Sequence, residues 1–346
     1  MDNGTVTQYA ESAGSAGGNG KVVVVGSLTM DFTAGAPRMP DRGETVLGTA
    51  FTMVPGGKGN NQAVAAAHLG ADVTMIGCIG DDVLGEAVRN ASAAEGVDMS
   101  RLTVTESPTG IAHIAVDSSG DNRIIMVPLA NESLTAEAVL HNADVIRTAD
   151  VLLCQLEIPR ETVRAALSVA REAGVRTILN PAPAAELDEE LLGLVDILVP
   201  NETELAALSG LPTDTEENAH LAARRLLSRG ATCVVVTRSS EGALAVAEHM
   251  ATPVPPFSVQ AIDATAAGDA FCGALAAKLA SGATLDEALN YAAAAGALAT
   301  TVPGALPSLP TADSLEELVK TNRGESAPTG SYTTTHGGWR RSAAPG

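Results

Sequence analysis

Residues 261–274 read AIDATAAGDAFCGA and lead directly into a segment with the pattern of an amphipathic helix. Small residues around Gly268 leave backbone N–H groups unobstructed at the start of that helix, where the helix dipole adds partial positive charge. Such a site suits the charge that develops on a phosphoryl group. Asp269 at its edge is placed to accept a proton from an attacking hydroxyl, and it is equally suited to cap the helix.

Upstream of this stretch, short apolar runs alternate with helical patterns, which is typical of βαβ units around a parallel sheet. The apolar runs predict buried strands over residues 22–26, 73–79, 151–154, 177–180, 197–200 and 233–237. Helices are predicted over residues 61–69, 159–173, 203–208, 216–228, 268–280 and 285–299. The predicted fold class is α/β, with a doubly wound, mostly parallel sheet flanked by helices.

Two segments, about 32–54 and 111–128, alternate apolar and polar residues instead. The second contains Ser118-Ser119-Gly120-Asp121, which is a hairpin turn signal. Strands inserted at two places predict a small β-sheet lid on the main domain, which we assign to residues 21–320. Residues 1–20 and 321–346 are rich in small and polar residues, so we expect two flexible tails.

The composition narrows the choice of partners. The chain has 346 residues, of which 45% are hydrophobic, and a formal net charge of -20. The acidic balance disfavours nucleic acid and anionic membrane surfaces, because both attract basic patches. No apolar run reaches the roughly 18 residues of a membrane span, and the N-terminus lacks the features of a secretory signal. The four cysteines have no CxxC spacing, so we expect a cytoplasmic protein with buried, reduced thiols and small-molecule ligands.

The common nucleotide-binding signatures do not occur in the sequence. GSLTMD at residues 26–31 follows the first strand without the GxGxxG pattern of dinucleotide-binding enzymes, so an oxidoreductase is disfavoured. GGKGNNQ at residues 56–62 lacks the spacing and the Ser or Thr of a Walker A loop.

Three separated motifs resemble the ribokinase branch of the PfkB carbohydrate kinase family. They are GGKGNNQ with AVAAAHLGA after it, NETE at residues 201–204 and AIDATAAGDAFCGA at residues 261–274. DDVLGE at 81–86 and NPAPA at 180–184 support the resemblance, which extends from about Val22 to Pro310. It implies a ribokinase-like fold, and the motifs occur in the order that the family has.

The resemblance implies a catalytic centre and a sugar site. Asp269 corresponds to the family's catalytic base. Ala266, Ala267 and Gly268 correspond to the anion hole beside it. The implied substrate-binding residues, rich in the acids and amides that sugar hydroxyls need, are Thr29, Met30, Asp31, Gly57, Lys58, Gly59, Asn60, Asn61, Glu157 and Asp269. The glycines suit a loop that approaches the sugar closely, whereas Lys58 is equally expected to point to solvent.

Thr29 departs from the family pattern, in which an asparagine grips the sugar. A threonine offers one hydroxyl instead of an amide, so at least one ribose contact is lost or replaced. The sugar therefore stays open between ribose, which leads, and 2-deoxyribose or another pentose.

The same resemblance implies ATP and Mg²⁺. Asn201 and Glu204 correspond to the motif that organises Mg²⁺ through water, and the pair also fits an ordinary helix cap. The implied ATP-binding residues are Asn201, Thr237, Arg238, Ser239, Ser240, Glu241, Gly242, Gly268, Asp269 and Ala293. Ser239 replaces the family's usual glycine, and Ala293 replaces a His or Asn. The part of the site that is expected to contact the nucleotide is therefore altered.

Ribokinases typically also hold K⁺ beside the anion hole. The corresponding positions are Asp263, Thr265, Ala299, Val302, Gly304 and Ser308. Asp263 supplies the only charge among them, and it also suits a turn. The resemblance further implies a homodimer in which two lid sheets pack together.

These features predict an ATP-dependent kinase that phosphorylates the primary O5 hydroxyl of a pentose, with D-ribose to D-ribose 5-phosphate as the leading reaction. One alternative is a related kinase that acts on 2-deoxyribose, another sugar or a nucleoside. A second is a sugar- or nucleotide-binding protein without turnover, from which loss of Asp269 or Gly268 would be expected. Both residues are present.

Overall fold

Strands and helices alternate through the computed structural model, which describes residues 19–322, 332–335 and 338–341. The strands are β1 (Lys21–Val25), β2 (Thr29–Gly35), β3 (Ala50–Gly56), β4 (Asp72–Gly80), β5 (Val97–Thr105), β6 (Gly110–Val116), β7 (Asn122–Val127), β8 (Val151–Cys154), β9 (Arg176–Leu179), β10 (Ile197–Leu198), β11 (Cys233–Thr237), β12 (Ala243–Ala247), β13 (Met250–Val254), β14 (Tyr332–Thr335) and β15 (Gly338–Arg341). The helices are α1 (Lys58–His68), α2 (Val83–Ala94), α3 (Ala136–His141), α4 (Ala143–Arg147), α5 (Arg160–Ala173), α6 (Glu189–Leu192), α7 (Glu202–Ser209), α8 (Glu216–Leu227), α9 (Ala267–Ala280), α10 (Leu285–Ala299) and α11 (Ala312–Asn322).

The main sheet has nine strands in the order β13-β12-β11-β10-β9-β8-β1-β4-β5. From β11 to β5 all neighbours are parallel, whereas β12 and β13 continue the sheet antiparallel. The predicted α/β class, with a mostly parallel sheet flanked by helices, is confirmed. The sequence did not indicate β5, because it is an edge strand whose polar residues interrupt the apolar run.

Central strands are buried on both faces of the sheet. In β1, Val22 and Val24 pack into the apolar layer that contains α1, α9 and α10, whereas Val23 and Val25 pack toward α5 and α8. Parallel strands covered on both faces need apolar side chains at every position. The continuous apolar run at β1 follows from this requirement.

Helix α9 lies inside its layer rather than at the surface. From Asp269 to Ala280 every residue except Lys278 is buried. The prediction of an amphipathic helix is therefore wrong at this element. Its alanines and glycines allow α1 and α10 to pack closely against it, which covers nearly its whole circumference.

A second sheet of four strands, in the order β3-β2-β6-β7, forms the predicted lid. It begins only four positions beyond the end of β1, so it stands at the carboxyl edge of the main sheet. Side chains alternate along a strand. Thr29 and Asp31 therefore lie on one face of β2, and Met30 and Phe32 lie on the other.

Both predicted tails fall largely outside the described residues. Of the first tail, only residues 19 and 20 are described. Of the second, the described parts are the end of α11 and the antiparallel pair of strands β14 and β15. Among the helices in the described ranges, none has the length and apolar character to cross a membrane. All four cysteines are buried and without disulfide bonds.

Candidate active site

Polar side chains gather where the parallel strands end and the lid begins. Ser27 follows β1, Gln155 and Glu157 follow β8, and Asn180 follows β9. These three strands are neighbours in the sheet, and the first turn of α9 brings Asp269 to the same edge. Open α/β sheets bind their ligands outside the carboxyl ends of the strands. This edge is therefore the candidate site.

The carboxylate of Asp269 is fixed by two side-chain amides of α1. Asn61 donates from Nδ2 to Oδ2 of Asp269 at 3.0 Å, and Gln62 donates from Nε2 to Oδ1 at 2.9 Å. All three side chains are buried. A buried carboxylate with a donor on each oxygen keeps one orientation. Such a group can receive a proton from a defined direction.

Close contact between α1 and α9 makes these hydrogen bonds possible. A Cβ atom at Gly273 would lie 2.6 Å from the backbone oxygen of Gln62 and 2.6 Å from Cβ of Ala65. No larger residue fits there without moving one of the helices. Gly273 therefore keeps α1 and α9 close enough for side chains of α1 to reach Asp269.

The loop before α1 passes directly over the end of β1. Gly57 has a φ of 92°, and a Cβ at Gly59 would lie 2.5 Å from the backbone nitrogen of Ser27, so both positions require glycine. The Ser27 hydroxyl donates to Glu157 at 2.5 Å, and the Lys58 amide donates to the same carboxylate oxygen at 3.0 Å. The loop is thereby tied to a buried acid.

Thr29 and Asp31 face the site from the lid. The Thr29 hydroxyl donates to Oδ1 of Asp31 at 2.7 Å. The pKa of Asp31 is raised from 3.8 to about 6, and burial is the largest cause. The hydrogen bond from Thr29 acts to lower this pKa, whereas the negative charges of Glu157 and Asp269 act to raise it. Burial also raises the pKa of Glu157. Three carboxylates therefore share one pocket.

Lys58 is the cation that faces these acids. The charge of Asp269 raises the pKa of Lys58 although burial acts against it, and Glu157 and Glu204 act in the same direction as Asp269. Lys58 is only partly exposed, and the charges that raise its pKa belong to the acids of this pocket. One cation among four acids leaves the pocket rich in hydrogen-bond acceptors.

The first turn of α9 carries free amides. Its N-cap, Ala266, has a left-handed φ of 59°, and the first intrahelical bond runs from the Ala270 amide to the Ala266 carbonyl. The Ala267 amide donates to the preceding turn at 3.2 Å. Within the described residues the amides of Gly268 and Asp269 have no partner, and they lie at the positive end of the helix dipole. A Cβ at Gly268 would meet nothing within 4 Å, so these amides can be approached.

Comparison with known proteins shows the family of this chain. The sequence model of a family described as "pfkB family carbohydrate kinase" matches residues 19–312. This chain belongs to the pfkB family. It is 40% identical to a ribokinase of Haemophilus influenzae over 291 residues, which are 84% of this chain and 95% of the relative. It is 34% identical to a deoxyribokinase of Salmonella typhi over 303 residues, 87% of this chain and 99% of the relative. A structure of Arabidopsis thaliana ribokinase complexed with ribose and ATP has a TM-score of 0.82 at 33% identity, and the match covers 87% of this chain and 99% of that chain.

The family match and the similarity to a ribokinase confirm the family and the sugar-kinase class that the three motifs predicted. The ribokinase-like fold is confirmed as well.

In this pfkB-family chain, Asn201 and Glu204 form a capping box at the start of α7. Oδ1 of Asn201 accepts from the Glu204 amide at 2.8 Å, and Oε2 of Glu204 accepts from the Asn201 amide at 2.9 Å. An isolated β-bridge also joins Asn201 to Thr237. The cap uses one carboxylate oxygen of Glu204, and the other has no hydrogen-bond partner in the described part of the chain.

The end of β11 and the segment after it contain most of the residues predicted to bind ATP. Ser239 has a left-handed φ of 47°, which costs a residue with a side chain about 1–2 kcal/mol and explains why a glycine suits this position. Arg238 is 5% exposed, and its guanidinium contacts three glutamates: Glu202, Glu216 and Glu241. A cavity of about 590 Å³ opens here, lined by Glu202, Pro212, Thr213, Asp214, Arg238, Ser239, Ser240 and Glu241. Gly242 closes the turn with a φ of 82°, and Ala293 lies in α10.

Asp263 joins the two loops of the predicted cation site. Its Oδ1 accepts from the amide and the hydroxyl of Thr265 at 2.9 and 2.6 Å, and its Oδ2 accepts from the Gly304 amide at 2.8 Å. Burial acts to raise the pKa of Asp263, but these hydrogen bonds outweigh it and lower the pKa. Of the other predicted positions, Ala299 and Ser308 are buried and Val302 is exposed.

The structure does not bring two predicted sugar contacts to the pocket. The side chain of Met30 lies on the face of β2 opposite Asp31 and is buried in the main core. The side chain of Asn60 faces α2, where its Oδ1 accepts from the Ser92 hydroxyl at 2.5 Å. Neighbouring positions on a strand or a helix point in different directions, so adjacency in the motif did not place these side chains at the site.

Three amides that the sequence did not assign reach the site. Gln155 donates to Oε1 of Gln62 at 2.6 Å, and Gln62 donates to Oδ1 of Asn180 at 3.1 Å. Gln155 and Asn180 stand at the ends of predicted buried strands. Because the carboxyl ends of neighbouring parallel strands meet, that position was the available signal.

Proposed function

We propose that this chain is an ATP-dependent kinase that phosphorylates the primary O5 hydroxyl of a pentose, with D-ribose as the leading substrate. The observation that carries the proposal is the buried carboxylate of Asp269, held by Asn61 and Gln62 beside the free amides of α9. A positioned proton acceptor next to unpaired amides is what phosphoryl transfer to a hydroxyl requires. The relatives named above, a ribokinase and a ribokinase complexed with ribose and ATP, support this pair of substrates.

Sugar recognition would follow from the acceptors in the pocket. Asp31, Glu157 and Asp269 supply carboxylate oxygens for donating hydroxyls. Oδ1 of Asn61 is buried without a hydrogen-bond partner in the described residues. Leaving such a group unpaired costs about 1–3 kcal/mol, so a sugar hydroxyl that donates to it would gain affinity.

In the proposed reaction, the O5 oxygen attacks the γ-phosphorus of ATP while its proton passes to Asp269. A bond forms between O5 and phosphorus, the bond from that phosphorus to the β–γ bridging oxygen breaks, and ADP leaves. The amides of Gly268 and Asp269 would donate to the negative charge on the transferred group. The transition state of such transfers is loose, so positioning and charge neutralisation contribute most of the catalysis.

Asn201 and Glu204 would place Mg²⁺ through water. When bound, the ion supplies charge neutralisation on the phosphates. The described residues contain no cluster of three or more His, Cys, Asp or Glu that could hold a metal. Mg²⁺ commonly needs only one or two carboxylates together with water and substrate phosphates. The oxygen of Glu204 that the helix cap leaves unused fits this role.

The two loops that Asp263 joins would hold K⁺ largely through backbone carbonyls. Both oxygens of Asp263 already accept hydrogen bonds, so it would contribute mainly a fixed negative charge. The predicted positions are Asp263, Thr265, Ala299, Val302, Gly304 and Ser308. A cation there would stabilise the loop that precedes the free amides of α9.

One observation favours 2-deoxyribose as a second candidate. The single hydroxyl of Thr29 donates to Asp31, so it has no proton left to donate to a sugar oxygen. A sugar without the 2-hydroxyl would lose less at this position than ribose does. The relationship to a deoxyribokinase supports this alternative.

A homodimer would cover the outer face of the lid. Phe51, Met53 and Ile125 are 66%, 51% and 66% exposed. The strand register puts Met53, Phe32, His113 and Ile125 in one row across the sheet, on the face opposite Asp31. A contiguous exposed apolar patch marks an interaction surface. A second copy of the same lid would bury it.

The test is release of ADP from ATP with Mg²⁺ and K⁺ in the presence of ribose, 2-deoxyribose, other pentoses, fructose and nucleosides. We expect turnover with a pentose, and phosphorus NMR of the product should show a monoester on the primary carbon. Turnover only with nucleosides, or none with any acceptor from folded protein that binds ATP, would reject the proposal.

A further inference from the structure

We propose that Gln62 is a positioning residue for Asp269, and that Gln155 fixes the orientation of Gln62. The inference rests on the proposed function, since it assigns the direction from which Asp269 takes a proton. It is based on a chain of hydrogen bonds, from Gln155 to Gln62 and from Gln62 to Asp269, that joins the end of β8 to the start of α9 through α1.

Every hydrogen-bonding group of the Gln62 side chain is used. Its Nε2 donates to Asp269 at 2.9 Å and to Oδ1 of Asn180 at 3.1 Å, and its Oε1 accepts from Gln155 at 2.6 Å. Gln62 and Gln155 are both 0% exposed. A buried and fully satisfied amide on a helix has little freedom to move.

The neighbours of Gln62 admit only one orientation of its amide. Asp269, when ionised, can only accept hydrogen bonds, so the NH2 group must face it. Asn180 uses its own Nδ2 to donate to the carbonyl of Val199 at 2.8 Å, which leaves its Oδ1 to face Gln62. Gln155 presents a donor to Oε1 of Gln62. A flipped amide of Gln62 would place its oxygen against the acceptors of Asp269 and Asn180 and would lose the hydrogen bond from Gln155, so the present orientation is the favoured one.

The two oxygens of Asp269 therefore have different tasks. Oδ1 is held from the buried side by Gln62. Oδ2 is held by Asn61, whose own Oδ1 is buried without a hydrogen-bond partner in the described residues. We assign proton acceptance to Oδ2, and the fixed direction of that oxygen to Gln62 and Gln155.

The primary test is Gln62→Met, which keeps the length of the side chain and removes its hydrogen bonds. We expect kcat with the preferred pentose to fall by about 10-fold to 100-fold, the loss typical of a misplaced reacting group, with KM changed much less. Gln155→Met should lower kcat in the same direction but less, because it leaves the donor to Asp269 in place. Equal kcat in Gln62→Met and the unchanged chain would overturn the inference.

A double-mutant cycle separates positioning from a merely structural role. In an Asp269→Asn background, single-turnover rates should show no further loss when Gln62→Met is added, because the group that Gln62 positions is already gone. A loss of the same size in both backgrounds would mean that Gln62 only supports the fold. Should Gln62→Met fail to fold, the same cycle with Gln155→Met decides the question in the same way.

Thr162→Val is the matched control. Thr162 is buried in α5, away from the pocket, and its hydroxyl donates to the Leu134 carbonyl at 2.5 Å. Removing this hydrogen bond should lower the melting temperature and leave kcat unchanged. An unchanged chain that turns over no acceptor at all would reject the proposed function and this inference together. Turnover that is insensitive to Gln62→Met would reject the inference alone.

Discussion

Asn61 and Asp269 are separated by 208 positions in the chain, yet Nδ2 of the first lies 3.0 Å from Oδ2 of the second. The contact exists because Gly273 lets α9 touch α1. It couples the amide of Asn61, whose Oδ1 is buried without a partner in the described residues, to the carboxylate proposed as the base. A sugar hydroxyl bound by Asn61 would therefore be placed next to the group that receives a proton.

Replacing Asp269 with Asn should remove proton acceptance while keeping the shape of the side chain. We expect kcat to fall by about 10²-fold to 10⁴-fold, the range for loss of a general base, with the KM for the pentose within a few-fold of the original. Steady-state kinetics with a melting curve for each protein checks this. Turnover close to that of the unchanged chain would remove Asp269 from its role.

Asp31→Asn should stabilise the protein at neutral pH and weaken sugar binding. The pKa of Asp31 is raised from 3.8 to about 6, so the folded protein holds this proton more tightly than the unfolded chain does. Its contribution to stability is complete below pH 3.8 and is lost as the pH rises through about 6. The asparagine has no charge to desolvate. Its advantage in free energy of unfolding should grow to about 2–3 kcal/mol at pH 7.5.

The measurement is denaturant unfolding of both proteins at pH 4.5 and pH 7.5, with the pentose left out. A difference in stability that is the same at the two pH values would contradict the raised pKa of Asp31. Pentose titration at pH 7.5 supplies the second readout, because the variant should bind more weakly despite its greater stability.

The sequence predicts the main sheet well because β1 and its neighbours are buried on both faces, and that burial requires the apolar runs seen in the chain. Asp269 is predicted from its place at a helix start together with the resemblance to the ribokinase branch, whereas Asp31 and Glu157 are predicted from that resemblance. Directions of side chains are harder to predict. Met30 and Asn60 sit beside residues of the pocket and point away from it.

The hydrogen-bond network behind Asp269 could not be read from the sequence. Gln62, Gln155 and Asn180 come from three distant segments, and only the packing of α1 and α9 on the sheet brings them together. Burial of α9 on nearly all sides was also hidden, because alanine suits exposed and buried helix positions alike.

Thr29→Asn should shift preference toward ribose over 2-deoxyribose. In the present chain the Thr29 hydroxyl is occupied by Asp31, whereas an asparagine would add an amide that both donates and accepts. One added hydrogen bond to a 2-hydroxyl corresponds to about 0.5–1.5 kcal/mol, or roughly a 2-fold to 13-fold change in the ratio of kcat/KM values. Thr33→Asn, on the same strand and face but further from the pocket, is the control. An unchanged ratio in Thr29→Asn would show that this position does not read the sugar.

Exchange of Na⁺ for K⁺ at constant ionic strength should accelerate the reaction several-fold if the Asp263 loops bind the larger cation. Asp263→Asn removes the fixed charge and leaves one acceptor oxygen to serve both Thr265 and the Gly304 amide, so the variant should lose this response and about 1 kcal/mol of stability. Initial rates over a series of K⁺ concentrations check both points. A rate that is indifferent to K⁺ in the unchanged chain would discard the site.

Ile125→Glu should dissociate the proposed lid-to-lid dimer. Ile125 is exposed in β7 and shares a row with His113, Phe32 and Met53. A carboxylate there would replace apolar contact area and would have to lose its water when two lids meet. Leu221→Glu, at an exposed apolar position on α8 outside the lid, is the matched control. Sedimentation velocity should show a dimer for the unchanged chain and the control, and a monomer for Ile125→Glu. A monomeric unchanged chain across the concentration series, or a dimer that survives Ile125→Glu, would reject this interface, because desolvating a charge within it lowers affinity.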